Sequence, residues 1–388
     1  MIKMNKKEMT ARERILAAIN HEEPDRIPID FGSSHVTTIH SIPYKKLIKH
    51  FNFNSKYKIA HKMLQVVIPS EELIKRFNSD TRGVFLDPPD KFKDFTCGKN
   101  CYKDQWGITR QKPKNSYYYD QVTPVPLGKE DLTKKEIDYY DWPDPDDPGR
   151  YKNLRNKAIK QKEKGDYALV LNFGASFLHR TQYLRSMKQW YEDIIMRPEI
   201  LGYLMDKVLD YYLKLGKHVF NQIGDLIDVV AIGDDLGTQN NLQISPSHFR
   251  TIIKPRYKRL INFINQETEA FIKFHSCGSI YSIIEDLIDI GVDILNPVQT
   301  TAKNMEADKL KDEFGDRLTF WGAIDTQFVL PNGGRVEVEE EVKSKINSLG
   351  VGGGYILATV NNIQPDVRIQ NIITAFEAAN KFGRYPLN

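Results

Sequence analysis

From residue 167 onward the chain repeats one pattern. A short continuous apolar run ends in a polar tip, and a stretch with apolar positions at helical spacing follows. The runs are residues 167–173, 226–232, 270–274, 294–299, 318–325 and 354–362, and helices are predicted over 150–164, 279–290, 304–314, 335–349 and 368–382. Apolar runs of this length, without alternation and joined by helices, predict a parallel sheet buried on both faces. Residues 27–31, with Pro28 near the strand start, and residues 84–86 bring the count to about eight. Eight strands favour a closed (β/α)8 TIM barrel over an open doubly wound sheet. Thr10 and Glu13 form a capping box that opens a helix running to about Asn20. A long helix is expected from Ser245-Pro246, kinked at Pro255. Gly291, Gly315 and Gly350 sit where helix ends take a left-handed residue. Residues 88–130 break the rhythm with many aromatics and frequent prolines, and predict a β-hairpin-rich insertion over the barrel mouth. The whole chain, 1–388, reads as one domain.

Such barrels place their chemistry at the carboxyl ends of the strands. There the chain carries Asp30, His35, Asp234, Asp235, His275, Cys277, Asn296, Gln299, Asp325, Asn361 and Asn362. His275 and Cys277 stand two apart at the end of an apolar strand, so both side chains point the same way. An imidazole nitrogen and a thiolate sulfur suit zinc best. Ordinary packing also accounts for a lone His and Cys at a strand end. The expectation is that His275 and Cys277 are metal ligands and that Asp234, Asp235 and Asn361 are catalytic. Asp30, His35, Asn296, Gln299, Asp325 and Asn362 are expected to bind substrate. Asp234 and Asp235, adjacent in sequence, point apart, so they do not share a proton. His179 and His248 fall in or at the start of helices and read as surface or capping groups, and Trp321 reads as core. The glycines of 350–354 precede their strand, which argues against a phosphate loop. No lysine stands out in a Schiff-base setting.

Composition narrows the classes. With 40% hydrophobic and 27% charged residues the chain is ordinary and globular, and its net charge of +4 comes from scattered lysines without a nucleic-acid footprint. No run approaches the ~18–20 apolar residues a membrane span needs. The basic residues 1–7 lack the apolar stretch of a signal peptide. Three cysteines point to a reducing cytoplasm, with Cys97 and Cys101 as two incidental thiols and a structural zinc as the lesser alternative. The acidic connector 141–149 holds too many prolines for a calcium loop.

The chain resembles the uroporphyrinogen decarboxylase superfamily over most of its length. The resemblance rests on Arg12-Glu13-Arg14-Ile15 with Pro24-Asp25-Arg26-Ile27-Pro28, on Gly233-Asp234-Asp235-Leu236-Gly237, on Lys273-Phe274-His275-Ser276-Cys277-Gly278, and on Asn362-Ile363-Gln364-Pro365-Asp366. It implies a (β/α)8 barrel, with a homodimer by analogy. True decarboxylases of that superfamily bind eight carboxylates through arginines after the first strand. Here that loop, Gly32-Ser33-Ser34-His35-Val36-Thr37-Thr38, has none. His275-Ser276-Cys277 matches the His-x-Cys zinc motif of the cobalamin-dependent methyltransferase branch. The resemblance therefore implies a zinc methyltransferase working with cobalamin carried by a separate corrinoid protein. Coenzyme M methyltransferases add a Cys at the last strand tip. This chain has Thr359-Val360-Asn361-Asn362 there, so either Asp234 or Asp235 supplies the third donor, or the site is weakened. Two alternatives stand beside this: a metal-free decarboxylase with Asp30 or Asp234 as acid/base, and a barrel that only binds.

Overall fold

Seven of the apolar runs form strands in the computed structural model, which describes residues 8–387. They are β1 (Thr81–Phe85), β2 (Ala168–Asn172), β3 (Val229–Gly233), β4 (Phe271–His275), β5 (Ile294–Asn296), β6 (Thr319–Ile324) and β7 (Tyr355–Thr359). Each pairs in parallel with its neighbours in sequence, so the sheet order is the chain order. Residues 27–31 fill the eighth position without becoming a regular strand. Ile29 bridges Leu357, the Leu357 amide donates to the Pro28 carbonyl, and the Asp30 amide donates to the Leu357 carbonyl. On the opposite edge the Asp80 amide donates to the Ile29 carbonyl. Pro28 has no N–H to give, so the ladder is broken there. Both edges of the seven-stranded sheet still meet this segment, and the result is a TIM-barrel-like ring.

The helix Ala11–Ile19 does more than precede the barrel. Its buried Ile15, Ala18 and Ile19 pack with Ala168, Val170, Val229, Ile294, Trp321, Ile356 and Ala358, the inward side chains of five strands. The helix therefore plugs the amino-terminal end of the barrel and leaves the carboxyl end for chemistry. Thr10 caps it as a full capping box with Glu13. The second, larger core lies between the sheet and the outer helices.

Local details depart from the expected pattern where backbone chemistry is subtle. The helix expected to kink at Pro255 is three pieces: a turn at Pro246–His248, a π-helical segment Phe249–Ile253, and an α-helix Lys254–Glu267. Pro255 falls in the first turn of the last piece, where its missing N–H costs nothing. Gly291 is left-handed (φ 93°), but Gly315 is not, and Gly350 lies inside its helix. Gly352, Gly353 and Gly354, all at positive φ, make the turn into β7. The helix expected over 150–164 is a 3-10 turn, Pro148–Arg150, and an α-helix, Leu154–Lys162. In the acidic connector, Asp147 accepts the amides of Asp90, Lys91 and Gly149.

The insertion forms a four-stranded antiparallel sheet of Phe95–Thr96, Cys101–Lys103, Thr109–Gln111 and Asp120–Gln121. Cys97 and Cys101 are joined as a disulfide, with Cα atoms 5.2 Å apart, which corrects the reading of two incidental thiols. The tight turn between the first two strands, closed by the Cys101 amide on the Gly98 carbonyl, brings them together. A two-stranded sheet, Lys58–His61 with Val66–Ile68, lies beside it, and the Tyr119 amide donates to the Met63 carbonyl. Among the described residues no helix is long and apolar enough to cross a membrane. The basic segment 1–7 lies outside the described residues.

Candidate metal centre at the carboxyl end of the barrel

Strand β4 ends at His275, so Cys277 lies in the turn beyond it and does not share the strand's alternation. The two side chains converge all the same. Ser276, fully buried, accepts the Leu236 amide, and the Cys277 amide donates to Asp235 Oδ1 at 2.9 Å. The Gly278 amide donates to Gln299 Oε1. Gly278 is left-handed (φ 91°), and a Cβ there would strike the backbone of Gly237 and Thr238. At Gly233 (φ 140°) a Cβ would run into the His275 backbone. Close approach of these two strand tips is what puts Asp235 beside the pair.

The ligand atoms of Asp235, His275 and Cys277 all lie within 4.8 Å of one another, the only such group of three among the described residues. Cys277 Sγ is 3.6 Å from His275 Nε2, and Asp235 Oδ1 is 3.4 Å from the same nitrogen. Tetrahedral zinc with ordinary bond lengths separates a sulfur and a nitrogen donor by roughly 3.6 Å and a nitrogen and an oxygen donor by roughly 3.3 Å. The donor set therefore fits a zinc ion in chemistry and in the two separations that involve His275. The side chains of His275 and Asp235 stay 16% and 33% exposed, so the group opens to the mouth.

The tautomer of His275 is set from behind. Asn296, fully buried, donates its Nδ2 to the Trp321 carbonyl at 2.8 Å, which turns its Oδ1 toward His275 Nδ1 at 2.7 Å. Nδ1 then carries the proton, and the Nε2 lone pair faces Cys277 and Asp235. Such a partner behind a metal-binding His is the usual way its ring is oriented. Burial pushes the Cys277 thiol well above its ordinary pKa, and the Asp235 charge adds to this while the Asn361 amide opposes it. Burial also pushes Asp235 up. The His275 hydrogen bond and charge, His179 and the Cys277 amide outweigh it and hold the carboxyl well below the usual carboxylate range.

The two adjacent aspartates divide the work. Asp234, 1% exposed, accepts from Ser176 Oγ, from the amides of Phe177, Leu178 and His179, and from Tyr257 Oη. It caps the helix Leu178–Arg185 and has no lone pair left for acid/base work, contrary to its expected catalytic role. Asp30, expected to bind substrate, is engaged in the same way, its oxygens accepting from Ser33, Thr81 and the Trp321 indole. Asp325 accepts the amides of Gln327, Phe328 and Val329 at the start of a short helix. Gln299 holds the Gly278 amide and Gln239. Asn296 orients His275. These four, expected to contact substrate, face protein instead. Asn361 Nδ2 lies 3.6 Å from Cys277 Sγ, and its Oδ1 accepts from Asn362.

Three groups near the site, His179, His61 and Lys273, are not among the expected site residues, whereas His35, beside two of them, is. The ring of His179, expected on the surface or at a cap, has Nδ1 3.4 Å from Asp234 and Nε2 3.9 Å from Asp235. His35 stacks on His61 at 5.2 Å. Burial and the neighbouring His275 and Lys273 pull His35 down to about 4. Lys273, one layer below His275 on β4, is fully buried with its Nζ unpartnered, 4.3 Å over the Trp321 ring. Position in the barrel would have flagged His179, one turn past a strand tip. His61 belongs to the small two-stranded sheet, whose place over the mouth only the fold reveals.

Comparison with known proteins agrees with this architecture. The family model described as uroporphyrinogen decarboxylase (URO-D) matches residues 119–382, about two thirds of the chain. A solved methyltransferase from Methanosarcina mazei superposes with a TM-score of 0.66 at 19% identity, covering 97% of this chain and 99% of that one, which speaks for the fold. A GH113 β-1,4-mannanase (TM-score 0.34, 10% identity, 91% and 98% coverage) and a dihydropteroate synthase from Xanthomonas albilineans (0.27, 14%, 39% and 52%) are too distant to carry weight. No curated protein sequence matches.

Proposed function

The chain belongs to the uroporphyrinogen decarboxylase family, and we propose that within it the protein is a zinc-dependent methyltransferase. It moves a methyl group between a small methylated substrate or thiol and cobalamin carried by a corrinoid protein. One observation carries this reading: the Asp235, His275 and Cys277 donors gather within 4.8 Å of one another at the carboxyl end of the barrel, with the two separations to His275 those of a tetrahedral zinc site. Zinc held there would supply Lewis acidity toward a donor oxygen, or lower the pKa of a bound thiol.

The chain's own residues do the rest. Asn296 keeps the proton of His275 on Nδ1. Asp235 Oδ1 is positioned by the Cys277 amide, while Oδ2 faces His179 Nε2. Asn361 steadies the sulfur. The engaged carboxylates of Asp30 and Asp234 speak against the metal-free decarboxylase, which needs one of them free.

Elemental analysis of protein purified without chelator tests the proposal. About one zinc per chain is expected, lost in Cys277→Ser. A change in the visible spectrum of methylcobalamin on mixing with enzyme and a thiol is expected alongside. Metal-free protein that leaves the spectrum untouched would overturn it.

A further inference from the structure

Where the insertion meets the helix Leu178–Arg185, two arginines share a single paired acid, Asp104. Arg110, on the insertion strand Thr109–Gln111, is 4% exposed and lies 4.3 Å over the Tyr183 ring. Tyr183 in turn stacks on His179, whose Nε2 faces Asp235. Arg180, next to His179 on the helix Leu178–Arg185, lies 4.3 Å over the Trp106 ring. Tyr211 packs on the same indole at 4.8 Å. Arg180 Nε and Tyr211 Oη are both buried and neither has a hydrogen-bond partner, while the rest of the Arg180 guanidinium leans on Tyr212 and feels the Asp104 charge. Two orphaned donors on one aromatic floor leave an unmet demand for an acceptor.

The nearby acids do not meet it. Asp104 reaches Arg110 Nε at 3.3 Å, but its other oxygen accepts the amides of Trp106 and Ile108. Asp120, exposed on the neighbouring strand, forms no ion pair among the described residues. One partly spent carboxylate thus stands against two guanidinium groups. His61 feels both of them.

We propose that Arg110 and Arg180 form an anion subsite at the edge of the mouth, so that the small molecule handled at the His275–Cys277 centre carries a carboxylate. This rests on the proposed methyl-transfer reading and specifies its substrate class. Planar guanidinium groups on aromatic faces suit a carboxylate, and burial makes the pairing stronger than it is at a surface. Tyr183 and His179 lead from Arg110 to Asp235, so the anion assigned to this subsite is the small substrate's own.

Calorimetric titration tests it with methoxyacetate and its uncharged isostere methoxyacetamide. The wild type is expected to bind the anion at least about tenfold more tightly, the scale of one charge-assisted pair. Arg180→Gln and Arg110→Gln each bring the ratio toward one, and Arg180→Lys recovers part of it. Equal affinity for the two probes, no binding of either, or a ratio unchanged in both glutamine variants would overturn the subsite. If Arg180→Gln fails to fold, Arg110→Gln and the wild-type ratio decide. Zinc content and methylcobalamin turnover are measured on the same samples. Turnover without anion preference sinks the subsite and spares the methyl-transfer reading; anion preference without zinc or turnover does the reverse.

Discussion

Replacing Asn296 separates the orientation of His275 from everything else in the site. The buried amide spans two partners, donating to the Trp321 carbonyl at 2.8 Å and accepting from His275 Nδ1 at 2.7 Å. In Asn296→Ala the ring loses the contact that selects its tautomer, and zinc affinity should fall 10–100-fold, or about 1.4–2.7 kcal/mol. The Trp321 carbonyl also loses its side-chain donor, so folding stability should drop by about 1–3 kcal/mol. Asn296→Asp divides the two effects. It keeps an acceptor for His275 Nδ1 but offers Trp321 no donor and buries a charge. Its zinc affinity should stay near wild type while its stability falls. Competition with a chromophoric chelator measures the first quantity, and urea unfolding of metal-free protein the second. Asn296→Ala binding zinc within about twofold of wild type would refute the reasoning, as would Asn296→Asp losing as much affinity as the alanine variant.

Asp234→Ala should lower stability by about 3–5 kcal/mol, because three amides and two hydroxyls lose a buried acceptor together; the urea midpoint reports it. Lys273→Met should raise the midpoint, by about 1 kcal/mol, since it removes a buried ammonium without a hydrogen-bond partner, a cost that outweighs its contact with the Trp321 ring and its attraction to the Asp30 carboxylate. Asp293→Asn should stabilise at neutral pH. Burial raises the Asp293 carboxyl above its unfolded value of 3.8, outweighing the Ile272 amide it accepts. Its charge therefore costs stability at neutral pH, and that cost fades as pH falls through the raised folded value toward 3.8. Unfolding at pH 7 and near pH 3.5 should show the gain of the asparagine variant at the first and its loss at the second.

The barrel was legible because its strands are buried on both faces and its helices on one, a contrast that needs no knowledge of partners. Pro28 marked the one place where the ring is irregular. The His275–Cys277 pair was also legible, although for a reason that needs amending. Alternation along a strand suggested convergence, yet Cys277 lies past the strand end and is held by Asp235 and by the turn at Gly278. Which of two adjacent aspartates faces the mouth was not legible. Asp234 turns away because the amides of Phe177, Leu178 and His179, far off in sequence, open a helix against it. The arginines were least legible. Arg110 comes from an insertion without clear periodicity, and Arg180 looks like any charged helix residue until Trp106 and Tyr211 are seen beneath and beside it.

The missing signal has a common cause. A polar side chain at a strand tip can serve the loop or serve the ligand, and its identity is the same in both cases. What distinguishes the two is whether its hydrogen-bonding capacity is already spent. Asp30, Asp234 and Asp325 are spent on protein donors and read as scaffold. Arg180 Nε is not spent, and the Asp235, His275 and Cys277 donors face one another, with the second oxygen of Asp235 toward His179. Unspent capacity inside a fold is costly unless something fills it. On that ground the proposed metal donors and the proposed arginine subsite are read as one surface, and the look of an acidic strand tip is the weaker guide to where ligands bind.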